Sequence, residues 1–161
     1  MLISKELNAA INVQIGREFG ASHQYVNIAA YFDSLSLKKL AKRFYKQGEE
    51  EREHAMKFVN YLVDAGGEVK IPAIDAPKAT FSSVEEAVKL SLDWELEVTR
   101  LINNLMDIAI KEKDYIAQQF LDWYTNEQLE EVSTMDSLLR LVQNTGPDHL
   151  ILLEIYAGQK D

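Results

Sequence analysis

No cysteine occurs in the 161 residues, which excludes disulfides, zinc ribbons, iron–sulfur clusters and rubredoxin-type iron sites. Proline is nearly as scarce, at three residues, so long stretches of chain run without a helix breaker. Basic residues are also few, 17 against 26 acidic ones, and the resulting net charge of −9 repels phosphate backbones and anionic lipid while attracting cations. Nucleic acid and membrane surfaces are therefore not expected partners. No segment stays apolar for the ~18 residues a membrane span needs. The stretch Met1-Leu2-Ile3-Ser4-Lys5-Glu6-Leu7 is not a cationic start followed by an apolar run. The expected location is the cytoplasm. The length and a hydrophobic content of 47 % suit one domain over residues 1–161.

What is present is helical periodicity, and the chain reads as all-α: four long helices and a short fifth. The first runs from Ser4, its expected N-cap, to Phe32, with Leu7, Ile11, Ile15, Glu18, Ser22, Tyr25, Ala29 and Phe32 on one stripe. The turn Asp33-Ser34-Leu35-Ser36 offers caps to both flanking helices. The second helix carries Leu37, Leu40, Phe44, Glu51, Ala55, Phe58 and Leu62 to Ala65, where Gly66-Gly67 supplies the stop. Residues 66–81, with Pro72 and Pro77, read as an extended connection packed along the bundle. Ser82-Ser83-Val84-Glu85 reads as a capping box opening the third helix, whose stripe is Val84, Val88, Ser91, Glu95, Val98, Ile102, Leu105 and Ala109. After a turn at Lys113-Asp114 the fourth helix presents Ala117, Phe120, Tyr124, Gln128, Glu131, Met135, Leu138 and Val142, ending before Gly146-Pro147. The apolar segment 148–156 forms the last helix.

Each long stripe holds one acid at its middle: Glu18, Glu51, Glu95 and Glu131. Glu18 lies 17 residues before Leu35 and Glu51 lies 16 after it, while Glu95 and Glu131 each lie 18 residues from Lys113. In a four-helix bundle all four fall in one layer. The arithmetic holds for short or crossover connectivity alike, although 16 connecting residues at roughly 3.3–3.6 Å each reach the ~40 Å length of a 27-residue helix.

A lone buried acid is ordinarily paired with Lys or Arg, but Arg17, Arg52, Lys57 and Arg100 all sit off these stripes. Only His54, three residues after Glu51 and on the same face, joins the layer. Either several carboxyls are protonated or cations occupy the layer. Four ionised Glu carry −4 and two divalent ions +4, so the charges balance. Mixed oxygen and nitrogen donors suit iron, manganese or zinc, and carboxylates bridging two ions in a bundle form the di-iron or di-manganese pattern. That pattern has Glu-x-x-His on two helices. Here Glu51-x-x-His54 matches, whereas the second pair is Gln128-x-x-Glu131, a weaker donor that favours a centre from which oxidised iron departs. His23 and His149 have no carboxylates grouped around them and are assigned to the surface.

With their neighbours these residues resemble the ferritin family, specifically the haem-free bacterial ferritins, over nearly the whole chain. The resemblance rests on Gln14-Ile15 through Glu18-Phe19-Gly20-Ala21-Ser22, Ala30-Tyr31-Phe32, Glu50-Glu51-Arg52-Glu53-His54-Ala55-Met56, Gly66-Gly67, and Phe120-Leu121-Asp122-Trp123-Tyr124 leading into Glu127-Gln128-Leu129-Glu130-Glu131. It implies a ferritin-like four-helix bundle with a long crossover between the second and third helices and a short fifth C-terminal helix. It also implies an iron store with ferroxidase activity, oxidising Fe(II) with dioxygen or peroxide and keeping Fe(III) mineral inside a homo-oligomeric shell of about 24 copies. On that resemblance Glu18, Glu51 and His54 hold one iron and Glu51, Glu95 and Glu131 the other, while Gln128 orients ligands or dioxygen. Glu50, Glu127 and Glu130, with Glu131 shared, match a third iron site; as a bare sequence feature they are a solvated face. Tyr25 and Trp123 match the aromatic residues beside such a centre, as electron donors or as ordinary core aromatics.

Haem-binding bacterioferritins carry a Met directly after the bridging Glu; Arg52 stands there, so no haem is expected. The small DNA-protecting relatives place their ligands between subunits and lack a fifth helix, and fit poorly. The rival readings are a di-iron oxidase acting on an organic substrate and a metal-free interaction bundle.

Overall fold

The computed structural model describes residues 2–159; residues 1, 160 and 161 of the expected 1–161 domain lie outside the described residues. It is all-helical, with α1 (Lys5–Ser34), α2 (Lys38–Asp64), α3 (Val84–Glu112), α4 (Tyr115–Thr145), a 3-10 turn over Pro147–His149 and α5 (Leu150–Gln159). No helix among the described residues is long and apolar enough to cross a membrane.

Local chemistry explains most boundaries. Ser4 caps α1 by accepting from the Leu7 N–H at 3.0 Å, and Asp114 caps α4 by accepting from the Ala117 N–H at 2.9 Å. The expected capping box at α3 is displaced by one residue. Ser83 is the cap and accepts from Glu86 N–H, while the Glu86 carboxylate reaches back to the Ser82 N–H at 2.6 Å. The turn 33–36 does not cap α2, because Ser36 adopts a left-handed φ of 62° and Leu37 occupies the cap position. The cap comes from the far end of the chain: Glu154 of α5 accepts from Lys39 N–H at 2.6 Å and Leu40 N–H at 3.2 Å.

The connection between α2 and α3 runs along α1 in the direction of α1. Asn8 and Asn12 donate to the Glu68 carbonyl, and Asn12 accepts from the Lys70 N–H. Further on, Gln24 donates to the Lys78 carbonyl at 2.9 Å and accepts from its N–H at 2.8 Å. Between these anchors a Cβ on Gly16 would stand 2.5 Å from Cγ of Pro72, so the close approach of strap and helix requires glycine there. The ties from Asn8 to Gln24 span 16 helical residues, roughly 24 Å, which establishes the long crossover. It delivers α3 antiparallel to α1, with Phe81 against Tyr31 at 5.3 Å between ring centroids.

The buried apolar side chains form two clusters. One gathers Tyr25, Phe32, Leu40, Phe44, Val88 and Leu138 with Leu153 of α5; the other gathers Leu7, Ile11, Phe58, Leu62, Ile102, Leu121 and Tyr124. Between them lies the polar layer.

Candidate metal centre

Glu18, Glu51, Glu95 and Glu131 are between 1 % and 6 % exposed, as are His54 and Gln128, and each comes from the middle of its helix. Arg17, Arg52, Lys57 and Arg100 are all exposed. The layer thus holds four acids and one imidazole away from water without a basic partner, an arrangement that opposes folding unless protons or cations neutralise it.

The ligand atoms converge in overlapping groups, each within 4.8 Å: Glu18, Glu51 and His54; Glu51, Glu95 and Glu131; and His54, Glu127 and Glu131. Glu51 is common to the first two. His54 turns Nδ1 toward Oε2 of Glu51 at 3.2 Å and Oε2 of Glu18 at 3.9 Å, and turns Nε2 toward Oε1 of Glu127 at 3.9 Å. Oε2 of Glu18 is buried and has no hydrogen-bond partner. An orphaned carboxylate oxygen facing an imidazole nitrogen fits a cation between them.

Neutral donors hold the other oxygens. Gln14, one turn before Glu18, donates to its Oε1 at 2.7 Å. Gln47, one turn before Glu51, donates to Oε1 of Glu51 at 2.9 Å and to Oε2 of Glu131 at 2.8 Å, tying α2 to α4. Tyr25 donates to Oε1 of Glu95, and Gln128 donates to Oε2 of Glu95 and to Oγ1 of Thr99, each at 3.2 Å. Gln128 and Tyr25 therefore touch a ligand-type carboxylate. Gln14 and Gln47 were not among the candidate site residues read from the sequence; their signal is a glutamine four residues before a stripe acid, which occurs twice.

Burial, reinforced by neighbouring carboxylates, pushes the Glu18 and Glu95 carboxyls well above their ordinary range and raises that of Glu131 to about 7. Burial lowers the basicity of His54, but the Glu51 carboxylate, with Glu131 and Glu127, outweighs it and the net shift is upward. The Tyr25 phenol is pushed up by burial and by Glu95.

The residues matched to a third site divide. Glu127 joins His54 and Glu131, whereas Glu50 and Glu130 stay outside that group. All three line one cleft of about 300 Å³ with Arg43, Lys46 and Gln47, and Glu50 is paired with Lys46 at 3.6 Å. Trp123 stands edge-on to His54 at 5.3 Å, its face covered by the Lys57 ammonium at 4.0 Å. His23 and His149 are exposed, as expected.

The model of the ferritin-like domain family matches residues 8–145. The chain belongs to the ferritin family. It is 43 % identical over 144 residues to ferritin BfrB of Mycolicibacterium smegmatis, covering 89 % of this chain and 80 % of that one. It is 41 % identical over 147 residues to a bacterial non-heme ferritin of Staphylococcus aureus, covering 91 % and 89 %. Among solved structures, an open pore ferritin from the archaeon Archaeoglobus fulgidus superposes with a TM-score of 0.93 at 32 % identity, covering 97 % of this chain and 96 % of that chain. The ferritin fold with its crossover and fifth helix is thus the fold of this chain.

Proposed function

We propose that this single-domain chain is a cytoplasmic iron store that oxidises Fe(II) at the buried layer and keeps the Fe(III) as mineral within a shell of roughly 24 copies. The observation that carries the reading is the layer itself: four buried carboxylates and His54 with no Lys or Arg among them, and an orphaned oxygen on Glu18. One Fe(II) is taken by Glu18, Glu51 and His54, the other by Glu51, Glu95 and Glu131, so Glu51 spans the pair. Entry of the cations displaces the protons held on Glu18, Glu95 and Glu131. Each Fe(II) gives up one electron; dioxygen takes the two electrons with two protons and departs as hydrogen peroxide, or peroxide takes them and leaves as water. Gln128 and Tyr25 hold Glu95 while this happens.

The adjoining cleft favours storage over oxidation of an organic substrate. It is lined by Arg43, Lys46, Glu50, Glu127, Glu130 and Glu131, a set that suits ions and not an apolar molecule, and it gives the oxidised product a carboxylate-lined exit. Glu50, Glu127 and Glu130, with Glu131, are its candidates for a third iron. Shell assembly is supported by α5, which buries Leu153 and Ala157 against its own bundle but leaves Ile151, Leu152 and Ile155 more than half exposed. Arg52 is exposed and offers no thioether, so the reading includes no haem.

Size-exclusion chromatography after aerobic Fe(II) addition tests the proposal. A large particle that co-elutes with many Fe(III) per subunit is expected. A particle holding a fixed pair of irons favours the oxidase rival, and a monomer that takes up no iron overturns the reading.

A further inference from the structure

We infer that Gln14 is a positioning residue that makes Glu18 a one-oxygen ligand, leaving a coordination position on the first iron free for dioxygen. The inference rests on the proposed centre. A carboxylate can hold a metal through one oxygen or chelate it through both. In Glu18 the two oxygens are not equivalent. Oε1 accepts the Gln14 amide N–H at 2.7 Å, while Oε2, buried and without a hydrogen bond, faces Nδ1 of His54. Gln14 is itself 2 % exposed, and Glu18 is 1 % exposed, so no bulk water stands by to replace the amide if the carboxylate rotates. A cation on Oε1 has to share that oxygen with the Gln14 proton, which draws off its electron density and fixes the carboxylate's rotation, whereas Oε2 offers a cation undivided lone pairs.

The other acids are held differently. Glu95 has a donor on each oxygen, from Tyr25 and from Gln128, and Glu51 shares the Gln47 amide with Glu131. Glu18 is the acid of the four with one oxygen tied and the other buried and orphaned. One-oxygen binding lowers the coordination number of the first iron, and an open position is what separates a reactive metal site from a closed one. Without the amide, Glu18 is free to chelate, which holds the ion at least as firmly but fills that position. Affinity and turnover then move apart, which a merely structural role for Gln14 does not produce.

The test uses the assembled protein and Gln14→Met, which keeps length and shape but removes the donor. Co(II) serves as a redox-silent probe, because its visible absorption is several-fold stronger at low coordination number than in six-coordinate geometry. Expected for Gln14→Met are native Co(II) stoichiometry, an equal or lower dissociation constant and a band at most half as intense. The maximal rate of Fe(II) oxidation should fall about tenfold at an unchanged or lower half-saturating Fe(II). Native band and rate, or weakened Co(II) binding with a native band, overturn the inference. A crystal structure of the Co(II)-loaded native protein decides the point even if the variant does not fold: Oε2 alone on the metal with Oε1 on Gln14 is expected, and a chelating Glu18 refutes it. Glu18→Ala separates the two levels of argument. If it binds Co(II) with the native stoichiometry and spectrum, the assignment of the centre has failed; if it loses one Co(II) per subunit while Gln14→Met behaves as native, only the role of Gln14 has failed.

Discussion

Replacing Glu131 by leucine should make the metal-free protein more stable while abolishing rapid Fe(II) oxidation. Glu131 is 6 % exposed, and burial with the nearby Glu51 carboxylate raises its pKa from 4.5 to about 7. A carboxyl whose folded value is raised contributes its full stability below the unfolded value and loses it as pH rises through the folded one. Ionised Glu131 therefore costs the empty layer roughly 3 kcal/mol at pH 8 and about 1.5 kcal/mol at pH 5.5. Glu131→Leu removes that cost. Against it stands the lost hydrogen bond from Gln47, about 1 kcal/mol, softened because the same amide keeps Oε1 of Glu51. The net gain should be roughly 2 kcal/mol at pH 8 and close to zero at pH 5.5, within the range seen when buried ionic groups are replaced by apolar ones. Urea unfolding of metal-free protein at both pH values, with assembly state held fixed, measures it. Stopped-flow oxidation on the same samples should show the rapid phase gone, since the proposed second iron would lose a ligand. A Leu variant markedly less stable at pH 8, or a gain that does not shrink in acid, would mean that Glu131 is a satisfied structural acid and that the electrostatic argument is wrong.

Five further outcomes follow from the same layer and its surroundings. His54→Ala should slow initial Fe(II) oxidation by more than about tenfold with shell assembly unchanged, as read by stopped flow beside size-exclusion chromatography; equal initial rates would remove His54 from the centre. Metal-free wild type should lose urea stability between pH 5.5 and pH 8, because Glu18, Glu95, Glu131 and His54 all have raised values, and saturating Zn(II) should abolish or invert that slope; a slope unaffected by Zn(II) refutes the linkage. Glu154→Ala uncaps two N–H groups of α2 and should cost about 1 kcal/mol, whereas Glu154→Gln, which keeps an acceptor, should recover part of it. Purified protein should show no stoichiometric Soret band, and deletion of 148–161 should disturb the shell without removing the four-helix bundle.

The helices and the layer were legible because both depend on local periodicity. Stripe positions such as Ile11, Phe58, Ile102 and Leu138 are buried where a 3.6-residue repeat puts them, and the four acids come level because the intervening lengths are nearly equal. What the sequence did not disclose depends on residues far apart in the chain or on atoms within one side chain. The cap of α2 lies 115 residues from Lys39, at Glu154, and no local pattern points to it. The box at α3 slipped by one residue because Glu85 and Glu86 stand side by side, and only the reach of the carboxylate back to Ser82 separates them. Glu127 faces His54 while Glu50 pairs with Lys46, a division invisible in a run of surface acids.

On the proposed function, the choice of donors around the layer follows from the need to admit and release cations. A lysine or arginine at position 14, 47 or 128 would neutralise the buried acids and stabilise the empty fold, but its fixed charge would repel an incoming Fe(II) at a few ångströms in a region of low effective dielectric. An amide satisfies a carboxylate oxygen without adding charge, so the layer keeps its attraction for cations while its lone pairs are assigned. Gln14, Gln47 and Gln128, with Tyr25, fix which carboxylate oxygens are tied and which are left free, and the charge is left for a metal to balance. The empty bundle should accordingly be less stable than its apolar clusters allow, and on the proposed reading that deficit supplies part of the driving force for binding two cations. Once Fe(III) forms on that reading, neutral amides would hold no oxidised ion permanently, and the cleft bearing Glu127 and Glu130 would compete for it. On the proposed reading such a site would bind Fe(II) because the empty layer of acids opposes folding, and would turn over because nothing in the layer except carboxylate and one imidazole grips the product.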